Sequence, residues 1–376
     1  MGNDGAMGKD EAARTGGGAR PTEAQRRMQA RLLDRVSRTF ALTIPRLPDA
    51  LVDTVGNAYL LCRIVDTVED ELAVEPAAKD ALYARFVAAL DEGALAGPDP
   101  GTAFAEELAR LLPREAPAGE IELVNDIVEV LRVTASFDPA ERDVLRRCVA
   151  TMAGGMRRYE TLGTGGRGLE DTASLERYCY HVAGCVGEML TELFCLHDPT
   201  MDRERLMRLS VAFGNGLQLT NILKDMWLDH ARGVCWLPRD AFDTGGRPLG
   251  EIMDAALSGE REAVRIVEAG TRRLVGRTRA HLDDAMRYVR TIPRRQVGMR
   301  VFCLWSIGLA VLTIRKIRRD PVSERRNGTK VSRSSVRATL VCSDASAGHD
   351  PIMSSLYAGA CLGLPRADGA ARVRLR

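Results

Sequence analysis

The sequence predicts an all-α chain built as one domain. From Gln25 to about Thr339, apolar residues recur at helical spacing in long windows, β-branched alternating runs are few, and Gly and Pro fall between the windows. Residues 1–24 are low in large apolar side chains and are expected to be disordered. Breaks at Pro45–Pro48, Gly97–Gly101, Pro113–Gly119, Phe137–Pro139 and Gly163–Gly168 then cut the first half into helices. Further breaks at Pro199, Gly245–Gly250, Pro293 and Asp320–Gly328 cut the second half, for eight to ten helices in all. The expected organisation is a helical domain over 25–340 and a loosely ordered tail over 341–376, where periodicity fades. No repeat of 20–50 residues is visible.

With 376 residues, 45% hydrophobic and 28% charged, the chain has ample material for a core. Disorder throughout, collagen and a small disulfide scaffold are excluded. The formal charge of +2 argues against a dedicated nucleic-acid binder. That average hides an asymmetry: residues 315–337 carry nine basic and two acidic side chains, a local +7. Residues 338–376 add +1, which leaves −6 for 1–314. The nine cysteines are odd in number, scattered, without a CxxC pair or zinc spacing, and are expected as reduced thiols in a cytoplasmic protein. The N-terminus carries no apolar signal-peptide region. The longest apolar run, Val301–Ile314, is 14 residues, short for a membrane span and suited to a buried core helix.

Two stretches carry chemistry. In the segment from Tyr59 to Asp70, the residues Tyr59, Arg63, Asp66 and Asp70 are spaced i, i+4, i+7 and i+11, which puts a phenol, a guanidinium and two carboxylates on one helix face. In the segment from Gln218 to Asp229, the residues Gln218, Asn221, Asp225 and Asp229 again share one face. Like charges four apart destabilise a helix unless a cation offsets them. Because both helices are otherwise rich in apolar residues, their narrow polar stripes are expected to face an internal cleft. Two Asp-x-x-x-Asp stripes across a cleft suit a hard divalent cation such as Mg²⁺, which is held by one or two carboxylates plus substrate phosphates. Departure of a diphosphate is the reaction that needs such ions.

Four separated motifs, in order and spacing, resemble the squalene/phytoene synthase family of head-to-head isoprenyl diphosphate synthases. They are Ser37-Arg38-Thr-Phe40, the Tyr59–Asp70 stretch, Tyr178-Cys-Tyr-His-Val-Ala-Gly184-x2-Gly187, and the Gln218–Asp229 stretch. The resemblance runs from about Arg35 to Thr339. It implies an isoprenoid synthase helical fold with a central channel for two farnesyl diphosphates. It further implies Mg²⁺ on Asp66, Glu69, Asp70, Asp225 and Asp229, and substrate contacts from Ser37, Arg38, Phe40, Tyr59, Arg63, Gln218, Asn221 and Lys224. Tyr178 would handle the proton lost when the first carbocation alkylates the second substrate. Each residue has a plainer reading too. Arg63 could pair within its helix, Lys224 could be solvated, Tyr178 and Phe40 could be core, and Gly184 and Gly187 could serve close packing as well as leave room for a prenyl tail.

The family divides on how the second stage ends. Asp66-Thr-Val-Glu69-Asp70 and Tyr178-Cys-x-x-Val-Ala-Gly184 look more like the squalene-forming members, which reduce the cyclopropyl diphosphate with NADPH. Arg232, Lys330 and Arg333 are the corresponding cofactor candidates, and an anionic membrane surface is the other use open to the basic segment. The alternative is a dehydrosqualene, phytoene or presqualene diphosphate synthase without reduction. A silent helical scaffold is the reading from another class. The C-terminal anchor of animal and fungal members is not matched, so an anchorless, cytoplasmic enzyme with at most a peripheral membrane contact is expected. Gly163-Thr-Gly165-Gly166-Arg-Gly168 satisfies G-x-G-x-x-G, but it follows a helical segment rather than a strand and reads as a loop.

Overall fold

The computed structural model describes residues 20–37, 39–71, 74–91, 100–113, 116–159, 166–322 and 331–367. Among them are sixteen α-helices and no strand beyond an isolated bridge between Leu169 and Pro238. The helices are α1 Glu23–Val36, α2 Phe40–Thr43, α3 Asp49–Asp70, α4 Pro76–Asp91, α5 Pro100–Leu111, α6 Ala118–Asn125, α7 Ile127–Ala135 and α8 Pro139–Tyr159. They continue as α9 Thr172–Cys179, α10 Cys185–His197, α11 Arg203–Ala231, α12 Leu249–Leu257, α13 Arg261–Thr291, α14 Val297–Arg319, α15 Arg333–Ser346 and α16 Asp350–Ala360. The excess over eight to ten comes from interruptions without Gly or Pro signals, such as the single residue Asp126 between α6 and α7.

Local chemistry starts the helices where the sequence allows a cap. Thr22 and Gln25 form a reciprocal capping box on α1. Asp171, Asp202 and Ser332 accept backbone N–H bonds from Ser174, Arg205 and Ser335 to open α9, α11 and α15. Pro48 and Pro117 precede α3 and α6, where fixed backbone geometry replaces a side-chain cap.

The long helices α3, α8, α10, α11 and α14 surround a central cavity, and α13 backs α11. Between α9 and α10, Tyr180–Gly184 winds as a π turn. Behind it α10 and α11 touch backbone to backbone. A Cβ on Gly187 would stand 2.2 Å from the Ser210 carbonyl oxygen, and one on Gly214 would stand 1.9 Å from that of Ala183. Close packing therefore explains Gly187, which also lines the cavity. Gly184 is similarly placed, 2.8 Å from Asn215 Oδ1.

The apolar run seen in the sequence sits inside α14. The whole helix is long and apolar enough to cross a membrane by length and composition, yet 72% of its most apolar window is buried in the fold. All nine cysteines are free thiols. The tail departs from expectation. Instead of fading after residue 341, α15 runs to Ser346, α16 follows, and the Leu364 carbonyl accepts a bond from Arg279 at 2.7 Å. Tertiary anchors hold this segment where amphipathic periodicity is weak: fully buried Arg300 bonds Asp350, and Arg315 donates to the Ala360 carbonyl.

Candidate active site

A cavity of about 270 Å³ lies between the two polar-striped helices. Tyr59, Arg63 and Asp66 of α3 line one wall, and Gln218 and Asn221 of α11 line the other. The rest is apolar, including Phe40, Met189, Phe213 and Phe302. Phe40 both lines the cavity and packs on Tyr59, with ring centroids 4.9 Å apart, so its two readings coexist. Ser37 ends α1. Its hydroxyl accepts the Phe40 N–H at 3.1 Å and bonds Tyr59, whose hydroxyl burial pushes above the usual phenol range. Arg38 and Lys330 lie outside the described residues.

The acids gather at one end. Asp70 contributes to raising Asp229, and Arg232 at the end of α11 donates to the Asp70 carbonyl at 3.2 Å, so the two motifs meet there. Asp66 keeps 30% of its side chain open, yet burial, partly offset by Arg63, pushes it up to about 7. Burial and the charges of Asp66 and Asp70 push Glu69 up to about 8. Burial and Asp225 push Asp229 up to about 6. Burial is the main cause in all three, and neighbouring acids add to it.

Cations answer part of the acidic charge, with Arg232 acting on Asp229 and Lys79 on Glu69. Arg63 Nη1 is 3.7 Å from Asp66, its Nη2 is 3.6 Å from Asp70, and Nη2 also bonds Glu120 of α6. Lys224 Nζ is 3.1 Å from Asp225. The intrahelix pairing open to Arg63 is thus realised, and Lys224 is half-exposed but paired. Glu120 escaped the sequence reading because it sits on a short helix with no motif around it.

Tyr178 is 3% exposed and stands behind the acidic end, outside the lining of the described cavity. Its hydroxyl donates to Glu69 Oε1 at 3.3 Å, and its ring stacks on Trp236 with centroids 4.1 Å apart at 9°. Burial holds its pKa well above the usual range, so it stays a phenol. Trp236 lies outside the four sequence motifs. Arg333 opens α15 as an exposed side chain. Gly166 and Gly168 of the G-x-G-x-x-G match adopt φ of 67° and 75° in a loop before α9, while Gly163 to Gly165 lie outside the described residues.

The donor set suits Mg²⁺. Among the described residues no three His, Cys, Asp or Glu side chains converge closely enough to hold a bare metal ion. Separated carboxylates with unneutralised charge are what an ion completing its shell with phosphate and water requires.

The sequence profile of the squalene/phytoene synthase family matches residues 33–335. The chain belongs to the squalene/phytoene synthase family. Among similar curated members is "Squalene synthase BSS" of Botryococcus braunii, 28% identical over 252 residues, which are 64% of this chain and 49% of that protein. The squalene synthase of Schizosaccharomyces pombe is 25% identical over 295 residues, covering 77% and 59%. The chain thus spans about half to three-fifths of the length of these family members. In fold it is similar to a ligand complex of TcSQS, with a TM-score of 0.73, 21% identity, and coverage of 93% and 94%. It is also similar to a dehydrosqualene synthase, with a TM-score of 0.57, 17% identity, and coverage of 89% and 97%. The all-α isoprenoid synthase fold is therefore common to this chain and to family members named for different products.

Proposed function

We propose that this chain joins two farnesyl diphosphates head to head through a cyclopropyl diphosphate and, with NADPH, reduces that intermediate to squalene. The observation that carries the reading is the cavity itself, apolar over most of its lining, with Asp66 and Arg63 on one wall and Glu69, Asp70 and Asp229 electrostatically coupled beside them. Such a cavity fits a substrate with an isoprenoid tail and a polyanionic head that arrives with Mg²⁺. When bound, Mg²⁺ would neutralise the departing diphosphate oxygens, held by Asp66 and Asp70 on one wall and by Asp225 and Asp229 on the other, with Glu69 beside them.

Arg63, Lys224, Gln218 and Asn221 would bind phosphate oxygens, Arg63 by turning its fork from Asp66 and Asp70 toward the ligand. Tyr59 and Phe40 present aromatic faces where allylic cation charge develops. The apolar walls keep water from that cation. Tyr178, protonated and bonded to Glu69, is placed to pass on the proton lost in the first condensation. NADPH would supply hydride, and Arg333 and Lys330 are its candidate contacts. Arg232, which donates to the Asp70 carbonyl at the acidic end, is a third. The exposed basic residues around α15 also suit a peripheral contact with anionic lipid by a cytoplasmic protein.

Purified chain incubated with farnesyl diphosphate and Mg²⁺, with and without NADPH, tests the reading. Squalene formed only with NADPH is the expected result. A dehydrosqualene, phytoene or cyclopropyl diphosphate product unaffected by NADPH overturns the reductive stage, and no diphosphate release overturns the whole assignment.

A further inference from the structure

Glu176 lies on α9 two residues before Tyr178, on the opposite side of that helix, since two residues turn about 200°. Its side chain is 3% exposed. One carboxylate oxygen accepts Arg277 Nε and His281 Nε2, the latter at 2.9 Å, both from α13. The other accepts the Asn215 amide of α11 at 3.3 Å. One buried carboxylate thus fastens an eight-residue helix to the two longest helices of the fold.

The segment fastened there carries two site features. Tyr178 meets Glu69 and Trp236 on the front face of α9. The π turn immediately after supplies Val182 and Ala183 to the cavity wall. A π turn is an unfavourable winding that persists only where its surroundings impose it. Asn215 packs against it from behind: its amide is held by Glu176, and its Oδ1 lies close over Gly184, 2.8 Å from where a Cβ would stand. Buried Asn215 Oδ1 has no hydrogen-bond partner in the structure, so Glu176 is what orients this amide.

We propose that Glu176 is a positioning residue. Bonded to Arg277, His281 and Asn215, it sets Tyr178 against Glu69 and Trp236 and fixes the π turn that walls the cavity. It touches no substrate. The proposal rests on the reading of Tyr178 as a proton-handling group, and its test includes a readout that needs no turnover.

The test compares wild type with Glu176→Gln, Glu176→Asp and the charge-balanced double variant Glu176→Gln/Arg277→Met, the last guarding against failure to fold from an uncompensated arginine. Near-UV circular dichroism reports the Tyr178–Trp236 stack, with Trp236→Phe as the reference for its loss; far-UV dichroism reports the helices. With far-UV signal intact, Glu176→Gln and the double variant are expected to lose the Trp236-dependent near-UV band. For farnesyl diphosphate, kcat should fall at least tenfold with KM within twofold, and Glu176→Asp should recover part of both. Two outcomes overturn the proposal: a folded Glu176→Gln or double variant with the band unchanged and kcat within twofold, or a kcat that falls only in proportion to lost folded protein. A wild-type chain that turns over no farnesyl diphosphate overturns the functional reading instead, and the near-UV arm then decides this one.

Discussion

At the scale of single residues, the acidic end of the cavity is a balance of unlike burdens. Asp66, Glu69 and Asp229 are each pushed toward the neutral form, so their charge is costly until a cation arrives. Asp66→Asn and Asp225→Asn are expected to abolish turnover while melting at or above the wild-type temperature. Mg²⁺ with inorganic diphosphate should raise the melting temperature of wild type but not of Asp66→Asn; equal shifts would remove Asp66 from the metal site. Glu176 is the opposite case. Its bonds to His281 and Arg277 outweigh burial and hold its carboxyl down at about 2. A depressed carboxyl contributes stability above its unfolded pKa and loses it as pH falls through its folded one, here from about 4.5 down to about 2. The contribution is on the order of 3 kcal/mol. Denaturant midpoints of wild type and Glu176→Gln should therefore lie far apart at pH 6 and converge toward pH 3, whereas a constant gap would count against the linkage. Asp66 and Asp225 were legible in the sequence because their i, i+4 spacing is a local pattern. Glu176, Glu120 and Trp236 were not, because what distinguishes them is a partner on another helix.

At the scale of elements, the helices were legible and their contacts were not. Helical periodicity marks a buried face, but it says nothing about which turn of α11 lies against which turn of α10. The structure answers with glycines: Gly187 and Gly214 face carbonyl oxygens of the opposite backbone at distances a Cβ cannot occupy. Gly214→Ala must therefore push the π turn off α11, and since backbone rather than a flexible side chain opposes it, a loss of about 1–3 kcal/mol or more is expected. Gly154 on α8 is the internal control, because a Cβ there meets nothing within 4 Å. Gly154→Ala should gain about 0.5–1 kcal/mol from helix propensity alone. Chemical denaturation of the two variants checks the pair; equal and small effects would mean that the α10–α11 crossing relaxes more freely than its geometry suggests. The π turn itself had no sequence signal, since its residues suit an α-helix and what sets it apart is close packing against α11 at Gly184 and Gly214.

At the scale of the whole molecule, the uneven charge has a structural use. Part of the +7 segment closes the fold: Arg315 donates to the Ala360 carbonyl at the end of α16, where a cation complements the helix dipole. The C-terminal helices were misread from sequence as a loose tail because they are held by such polar anchors more than by an apolar stripe. Their principal anchor is Arg300, a fully buried guanidinium bonded to Asp350, which also receives Arg294. Two other nitrogens of Arg300, Nε and Nη1, have no hydrogen-bond partner, so Asp350 carries most of the compensation for a charge deep in the core. Removing one member of such a pair is asymmetric. Asp350→Asn strands the buried cation and should cost about 3–5 kcal/mol, with α16 released first. Arg300→Met replaces the cation by apolar volume and leaves Asp350, which is nearer the surface, with Arg294, so its cost should be far smaller. Denaturant midpoints measure the asymmetry, and protease cleavage between α15 and α16 locates it. Equal losses in the two variants would mean that α16 is held by its apolar contacts, Met353 above all, and that the buried charge is incidental to how the chain closes.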